Sequence, residues 1–413
     1  MAAGTVDVTH DPRESGVDSD RMARAGRHLA AYVDNGRLAG CQLLVTRRGR
    51  VVHASVHGAR DLEAGLPVEP DTLWRIYSMT KPMTSVLALQ LYEEGRLRLN
   101  DEVSAYLPAF GGQRVLVGGN VDQPRTVPAV EPMRIWHLLT HTAGLTYAFT
   151  RSSLLDDVYR SADADPLTSP DVGLAEMVDR WAGLPLLFEP GSAWNYSVAT
   201  DVLGHLIEVV TGRPLDEVFA ERLLDPLGML DTRWWVDEPD AGRLAALYTP
   251  HPETGAALRY DAMGGHALRP PALLSGGGGL VSTAADYARF TAMVLGGGEL
   301  DGVRVLGPRT LRYMTRNHLP GGGTLASLGR GQFAEVTYDG VGFGLGFSVS
   351  VDPVATKVTA TPGELAWGGL ASTAFWVDPA EQLAVHFFTQ LAPSSTYPVR
   401  TELRQLVYGA LVD

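Results

Sequence analysis

The sequence predicts an α+β fold in which the two ends of the chain build one sheet and a mainly helical stretch lies between them. Runs typical of β-strands occur near the N-terminus and in the last third of the chain. The middle has helical patterns joined by Pro- and Gly-rich connectors, and no internal repeat is present. Strands from both ends are therefore expected to meet in one sheet, with the helical stretch inserted between them.

Composition restricts the class of protein. The chain has 413 residues, 45% of them hydrophobic and 20% charged, which is typical of a soluble globular enzyme. The net charge of −13 argues against a nucleic-acid partner, since phosphate binding needs clustered Lys and Arg. Residues 1–20 lack the apolar core of a signal peptide, and no apolar run is long enough to span a bilayer. We therefore expect a cytoplasmic protein with no membrane partner; the sequence leaves its oligomeric state open.

The first elements are a helix and a hairpin. The helix is predicted over residues 20–35, and the strand-like runs 42–47 and 51–57 are expected to pair. Cys41 is the single cysteine, so no intrachain disulfide can form, and its apolar neighbours predict a small buried hydrophobe. Residues 73–77 are expected to be extended and to lead into the next helix.

The remaining elements follow from the same signals. Residues 111–128 are expected to be a long polar loop, and the four glycines at 276–279 are expected to let the chain pass close to the core or the cleft. Helices are expected over 135–139, 200–210, 214–224, 284–295 and 399–411, a turn over 225–229, and strands over 341–351, 370–377 and 383–390.

Ser78 and Lys81 form an S-x-x-K motif at the start of the helix that follows the extended run. Pro82 places that start near Ser78, because proline is tolerated in the first turn of a helix. Residues three apart lie on one face, so a partly desolvated Lys81 amine can accept the serine proton. The alternative is that Ser78 only caps the helix and Lys81 is a solvated surface charge.

Two further segments are candidates for the same site. Tyr196 lies in a turn-rich segment before a helix, and a phenol with a lowered pKa can act as a general base or relay. Trp367, Gly368 and Gly369 precede the strand predicted over 370–377. Two glycines there permit a ligand to approach the backbone, and a backbone N–H could point at an acyl oxygen.

The order and spacing of these motifs resemble the serine β-lactamase and penicillin-binding-protein superfamily, and within it the class C-like branch that includes the family VIII carboxylesterases. Ser78 and Lys81 match the S-x-x-K motif, and Tyr196 matches the tyrosine of the Y-x-N motif. Residues 367–369 stand at the position of the K-T-G motif on the edge strand of the sheet. The resemblance spans nearly the whole chain and includes two landmark segments, residues 91–97 and 137–145.

Two departures from the lactamase pattern concern substrate recognition. Val198 stands where lactamases carry the Asn of Y-x-N, and Trp367 replaces the Lys of K-T-G. Both changes remove polar groups that hold a penicillin-like acid. Trp-Gly-Gly at the third motif is typical of family VIII esterases and related acyltransferases, so the resemblance implies an esterase nucleophile at Ser78.

The resemblance also implies a fold and a mechanism. The fold is a single β-lactamase-like unit, with an antiparallel sheet flanked by helices in an α/β lobe of about residues 1–75 and 276–413, and a mainly helical lobe of about 76–275. In the mechanism a short-chain carboxylic ester acylates Ser78, Lys81 and Tyr196 share the base role, and the backbone N–H groups of Ser78 and Leu370 hold the oxyanion. Trp367, Gly368 and Gly369 would contact this small-molecule substrate, and no cofactor is required.

Three other functions stay open: a β-lactamase or D-Ala-type peptidase, an acyltransferase to an alcohol or amine, and a non-catalytic binding protein. His137 and His141 lie four apart, but no third ligand or H-E-x-x-H motif accompanies them, so we expect a structural role and no metal. Five aromatic residues are candidates to line an acyl pocket, with core packing as the alternative: Tyr147, Phe149, Trp234, Trp235 and Phe375.

Overall fold

The structure is a computed structural model that describes residues 7–169, 171–330, 338–394 and 396–413. The strands of this part, in chain order, are β1 (Gly40–Arg47), β2 (Arg50–Asp61), β3 (Leu66–Pro67), β4 (Trp74–Arg75), β5 (Arg114–Gly119), β6 (Pro124–Pro128), β7 (Tyr248–Pro250), β8 (Ala257–Arg259), β9 (Val281–Ser282), β10 (Glu299–Leu300), β11 (Val303–Arg304), β12 (Val341–Phe343), β13 (Ser348–Ser350), β14 (Leu365–Gly368), β15 (Ala374–Asp378) and β16 (Leu383–Thr389). The helices are α1 (Ser19–Asp34), α2 (Lys81–Glu93), α3 (Ile135–Leu139), α4 (Leu154–Ser161), α5 (Leu174–Ala182), α6 (Ala199–Thr211), α7 (Leu215–Phe219), α8 (Asp225–Leu227), α9 (Asp261–Gly264), α10 (Ala284–Leu295), α11 (Pro308–Met314), α12 (Leu325–Leu328), α13 (Pro353–Thr356) and α14 (Val399–Tyr408).

One antiparallel sheet joins the two ends of the chain. Within the described residues it has eight strands, in the order β12-β13-β14-β15-β16-β1-β2-β3. Strand β1 lies between β2 and β16, so that Leu44 pairs with Ala54 on one side and with His386 on the other. The predicted α+β class and the sheet built from both ends are therefore confirmed.

Different helices cover the two faces of this sheet. Side chains alternate along β1, so Leu43 packs with the core beneath α1 and α14, whereas Leu44 belongs to the larger core that includes α10. Cys41 lies in β1 with 0% exposure, which confirms that it is a buried hydrophobe. Because both faces are covered, every residue of β1 is buried.

Helix α2 lies inside the larger core, where it contacts α6 and α7 from the middle of the chain. Its residues from Lys81 to Leu89 are all buried, although the helix carries polar residues there. Burial on all sides explains why its sequence has little amphipathic contrast. The motif at its N-terminus is thus built on a rigid support.

The predicted loop over residues 111–128 was wrong, because most of it is the β5–β6 hairpin. Val115 pairs with Val127, and Gly118 and Gly119 adopt positive φ near the turn. The hairpin is anchored to the core by the Leu116 N–H, which donates to the Leu186 carbonyl at 2.8 Å. Glycine content suggested a loop, whereas here the glycines shape a strand end.

Two predicted strands also differ. The run 341–351 is two strands, β12 and β13, because the chain turns at Gly346, where a Cβ would lie 2.4 Å from Ser85 Oγ of α2. The strand predicted over 370–377 starts only at Ala374. The residues before it form a turn after β14.

Strand β14 carries Trp367 and Gly368 and lies between β13 and β15, so the expected position on an edge strand was wrong. The β12–β13 hairpin covers that side of β14 and makes β12 the edge. An unpaired edge exposes backbone donors and acceptors, which the added hairpin satisfies for β14.

The other predicted helices and strands are confirmed to within a few residues at each end. The helix predicted over 214–224 begins as α7, continues as a π-helical segment over Ala220–Leu224, and passes directly into α8, where a turn was expected. Among the described helices, none combines the length and the apolar character that a bilayer crossing needs.

Candidate active site

Ser78 lies on a short 3-10 helix, Tyr77–Thr80, that runs directly into α2. The chain enters this turn from β4, which pairs with β9, and the Ile76 N–H donates to the Leu280 carbonyl at 3.0 Å. Tyr77 has a φ of 43°, a left-handed conformation that a tyrosine rarely adopts. Such a residue persists only when its surroundings hold it, and it presents Ser78 half-buried at the wall of a cavity.

Lys81 faces Ser78 across one helical turn. Its Nζ donates to Ser78 Oγ at 3.1 Å and to the Gly277 carbonyl at 2.6 Å. The side chain is 1% exposed, and Nζ lies 4.6 Å from the centre of the Tyr196 ring and 5.4 Å from that of Tyr147. Lys81 is therefore a desolvated amine held against the serine hydroxyl and not a solvated surface charge.

Tyr196 reaches the same point from the segment before α6, and it is 2% exposed. The neighbouring Asn195 fixes this segment, since its Nδ2 donates to the Leu145 carbonyl at 3.0 Å and to Thr146 Oγ1 at 3.1 Å. The indole N–H of Trp367 donates to the phenol oxygen of Tyr196 at 3.3 Å. Because an indole nitrogen can only donate, this hydrogen bond does not use the phenol proton of Tyr196.

The turn after β14 packs directly on the turn that carries Ser78. At Gly369 a Cβ would lie 2.5 Å from the Ile76 carbonyl oxygen and 2.3 Å from Thr373 Oγ1, so only glycine permits this approach. The Gly369 N–H donates a hydrogen bond to the Thr373 carbonyl at 2.9 Å. Leu370 follows and lines the same cavity as Ser78.

The two predicted histidines have structural contacts. His137 Nδ1 accepts the Arg134 N–H at 3.0 Å at the start of α3, and burial lowers the pKa of His137 to about 4. His141 Nδ1 lies 3.2 Å from Ser197 Oγ, and burial together with the charge of Lys81 lowers the pKa of His141 well below its usual range. In the described part of the chain, no group of three or more His, Cys, Asp or Glu side chains is placed to hold a metal ion.

Asp201 was missed in the sequence, although it lies five residues after Tyr196. It is 1% exposed in the first turn of α6, and its Oδ1 accepts the Ser275 hydroxyl at 2.5 Å and the Gly277 N–H at 3.0 Å. Burial raises the pKa of Asp201, and the charge of Lys81 acts in the opposite direction. An acidic residue in the first turn of a largely buried helix was the available signal.

The glycine run passes between α2 and α6, which agrees with the expectation that these glycines let the chain pass close to the core. A Cβ at Gly276 would lie 2.9 Å from the Thr200 carbonyl oxygen, and one at Gly277 would lie 2.5 Å from Asp201 Oδ2. Thr84 on α2 also donates its hydroxyl to the Gly276 carbonyl at 2.6 Å. Only glycines allow the backbone to come this close to both helices.

A cavity of about 480 Å³ opens at Ser78. Of the five aromatic candidates, three line it: Tyr147, Phe149 and Trp234. Phe375 is core packing against Tyr287, and Trp235 packs on the larger core. The cavity is also lined by residues of the segment 263–273, which the sequence did not single out, among them Met263, His266, Arg269, Pro270, Pro271 and Leu273.

Comparisons with known proteins agree with this geometry. The family model described as Beta-lactamase matches residues 25–409. Protein Rv1367c of Mycobacterium tuberculosis is 37% identical over 87% of this chain and 88% of its own length, and Esterase EstB of Burkholderia gladioli is 34% identical over 97% and 98%. The solved structure of EstCE1, described as a hydrolase with promiscuous acyltransferase activity, has a TM-score of 0.78 and 29% identity, covering 95% of this chain and 99% of that one.

A match over nearly the whole chain, with an esterase relative of the same length, shows the family. The eight-stranded antiparallel sheet flanked by helices is the fold that the structural comparison also finds. The chain belongs to the Beta-lactamase family, in the family VIII esterase-like branch of the serine β-lactamase and penicillin-binding-protein superfamily.

Proposed function

We propose that this protein is a serine hydrolase that cleaves short-chain carboxylic esters through an acyl-enzyme on Ser78. The observation that carries the proposal is the 3.1 Å contact between Lys81 Nζ and Ser78 Oγ at the wall of an open cavity. A serine hydroxyl becomes a nucleophile when a base lies within hydrogen-bond distance of it. The likeness to Esterase EstB supports the same reaction.

In the first half-reaction Ser78 Oγ attacks the ester carbonyl carbon, and its proton passes to Lys81 or Tyr196. The carbonyl oxygen becomes an oxyanion that the backbone N–H groups of Ser78 and Leu370 stabilise. When the intermediate collapses, the C–O bond to the alcohol breaks and Tyr196 protonates the leaving alkoxide. Water then attacks the acyl-enzyme, and the same groups return the proton to Ser78.

The third motif favours an ester over a β-lactam. Trp367 occupies the place of a lysine, and its one polar group, the indole N–H, donates a hydrogen bond to Tyr196 Oη. Val198 is fully buried as the N-cap residue of α6. Neither residue offers a charge or an amide to a lactam carboxylate, so we expect slow turnover of nitrocefin compared with p-nitrophenyl butyrate.

The test of the function is the variant Ser78→Ala. It is expected to lose turnover of p-nitrophenyl butyrate, and intact-mass spectrometry is expected to find a butyryl adduct on the native chain and none on the variant. Ser85→Ala is the control, because Ser85 is a buried serine of α2 that borders Gly346 and does not line the cavity. Full esterase activity in Ser78→Ala would contradict the proposed role of Ser78 as the nucleophile.

Acyl transfer to an alcohol is the second candidate, and the size of the cavity favours it. A volume of about 480 Å³ suits a drug-sized molecule and exceeds what a butyryl group fills. We expect 2-phenylethanol, titrated into the p-nitrophenyl butyrate reaction, to yield its butyryl ester at the expense of butyrate. Formation of butyrate alone at every alcohol concentration would leave hydrolysis as the reaction.

The cytoplasmic location expected from the sequence stays a prediction, and cell fractionation of the native host would test it.

A further inference from the structure

The buried carboxylate of Asp201 has no part in the steps above, yet it lies behind Lys81. Its Oδ1 accepts the Gly277 N–H at 3.0 Å, and the carbonyl of the same glycine accepts Lys81 Nζ at 2.6 Å. Asp201 therefore fixes one side of Gly277, and Lys81 binds the other. A displacement of Asp201 would move the acceptor that orients the amine.

Burial raises the pKa of Asp201, and two donors and a nearby cation act against that rise. The Ser275 hydroxyl donates at 2.5 Å and the Gly277 N–H at 3.0 Å, and Lys81 adds a favourable charge interaction that opposes the effect of burial. Hydrogen bonds to a carboxylate and an adjacent cation both stabilise its charge. A buried ammonium such as that of Lys81 in turn needs a counter-charge.

Two of the titratable groups near Lys81, Tyr147 and His141, do not supply this counter-charge. Tyr147 and Tyr196 present ring faces to Nζ, and His141 lies beside Tyr196. Burial raises the pKa of Tyr147 well above its usual range, so this phenol is neutral near pH 7. The pKa of His141 lies far below neutral, so this imidazole is also uncharged.

We propose that Asp201 is a positioning residue for the acyl-transfer site: through Gly277 it holds the amine of Lys81 against Ser78, and its negative charge sets the protonation of that amine. Asp201 acts only through Lys81 and touches no reacting atom. The proposal rests on the proposed role of Ser78 as nucleophile.

The experiment measures how fast a fluorophosphonate probe labels Ser78 as a function of pH, by intact-mass spectrometry. In this reaction the Ser78 oxygen–phosphorus bond forms, fluoride leaves, and the serine proton passes to the base. Labelling reports the nucleophile even where an ester is not turned over. If the native chain were labelled at Ser78 but cleaved no ester, this result would contradict the proposed function and leave the proposed role of Asp201 standing.

Asp201→Asn keeps the acceptor for Ser275 and Gly277 and removes the charge. Without the carboxylate the ammonium of Lys81 is less favourable, so its titration step is expected to move to lower pH by about one unit or more. If the labelling rate rises with pH through this step, Lys81 acts as the base. If the labelling rate falls with pH through this step, Lys81 acts as the cation. Asp201→Ser, smaller and also uncharged, is expected to give a shift in the same direction.

Asp378→Asn is the matched control. Asp378 is also fully buried, but its partners include Tyr408 and Thr361 on the far side of the sheet from Ser78. This variant is expected to lose thermal stability and to keep the native pH profile of labelling. An unshifted pH profile in Asp201→Asn would overturn the proposal. Unfolding of both Asp201 variants while Asp378→Asn folds would also overturn it, since Asp201 would then serve the fold alone.

Discussion

The indole nitrogen of Trp367 illustrates how one residue changes a site. A lysine at this position would bring a positive charge and three donors, whereas the indole brings one neutral donor in a fixed plane. That donor lies 3.3 Å from Tyr196 Oη in a buried setting, and the Trp367 and Tyr196 ring centres are 5.3 Å apart. The tryptophan thus orients the phenol of Tyr196 and offers no charge to a substrate.

Trp367→Phe tests this orientation. The substitution keeps most of the ring volume and removes the N–H. Since a hydrogen bond of this kind contributes roughly 1 kcal/mol or more, we expect kcat for p-nitrophenyl butyrate to fall about tenfold. KM is expected to change less, because Tyr196 acts on the proton and not on substrate binding. Steady-state kinetics at saturating ester provides the measurement.

Trp376→Phe is the matched control for that variant. The Trp376 indole N–H is buried on the other face of the sheet, where it has no hydrogen-bond partner among the described residues. Its removal is expected to leave kcat unchanged. Equal losses in the two variants would mean that the ring, rather than the N–H of Trp367, supports activity.

At the scale of elements, the turn between β14 and β15 joins three parts of the molecule. It packs on the Ser78 turn through Gly369, and Arg400 of α14 donates to the carbonyls of Gly369 at 3.1 Å and Thr373 at 2.7 Å. The C-terminal helix therefore supports the turn that carries Leu370. Catalytic geometry of the expected oxyanion donor depends on this contact between elements.

Gly369→Ala is expected to reduce activity strongly with a smaller effect on folding. Its methyl group would meet the Ile76 carbonyl at 2.5 Å, so the turn must move away from Ser78. Losing one oxyanion donor typically lowers kcat by about 100-fold or more. Gly242→Ala, where a Cβ meets nothing within 4 Å, is the control and should behave like the native chain. Native kcat in Gly369→Ala would exclude Leu370 as the donor.

At the scale of the whole molecule, a buried histidine lies in the middle of the sheet that joins the two chain ends. His386 of β16 is 0% exposed, its Nδ1 lies 3.3 Å from the Leu44 carbonyl of β1, and its Nε2 lies 2.7 Å from Thr291 Oγ1 of α10. A carbonyl can only accept, so Nδ1 carries the proton and Nε2 accepts from threonine in the neutral ring. Burial lowers the pKa of His386 to about 4.

This histidine makes the fold sensitive to acid. Between pH 6.5, the ordinary histidine value, and about 4, the unfolded chain binds a proton at this position that the folded chain does not. Stability is therefore fully present above pH 6.5 and falls as the pH drops through that window, by a maximum of about 3 kcal/mol. His53 and His137, whose pKa values burial also lowers to about 4, act in the same direction.

We expect Tm, followed by circular dichroism from pH 8 to pH 4, to decrease below pH 6.5. His386→Gln, which keeps hydrogen-bonding groups but does not titrate, should make the decrease less steep. His266→Gln is the control, because His266 is exposed at the cavity wall. A Tm that falls equally steeply in His386→Gln and in the native chain would contradict the assignment.

The sequence by itself determined the class of fold, most of the elements and the family. Hydrophobic periodicity and turn residues are local signals, and they located α1, β1, β2, α6, α10 and α14 to within a few residues. The S-x-x-K spacing predicted a Ser78–Lys81 pair one helical turn apart, because three residues span about one turn of any helix. The family resemblance joined Tyr196 and Trp367, which were already candidates, to this pair, although they lie far apart along the chain.

Only the tertiary structure decided what surrounds that pair. Gly277 contacts both Lys81 and Asp201 because α2, α6 and the glycine run come together there, and no local pattern encodes such a crossing. Trp367 was expected on an edge strand but lies inside the sheet, because the β12–β13 hairpin pairs with β14. Strand order depends on pairing between distant segments, which local patterns do not determine. The motif thus predicts the proposed nucleophile, whereas long-range packing places Asp201, Leu370 and the cavity around it.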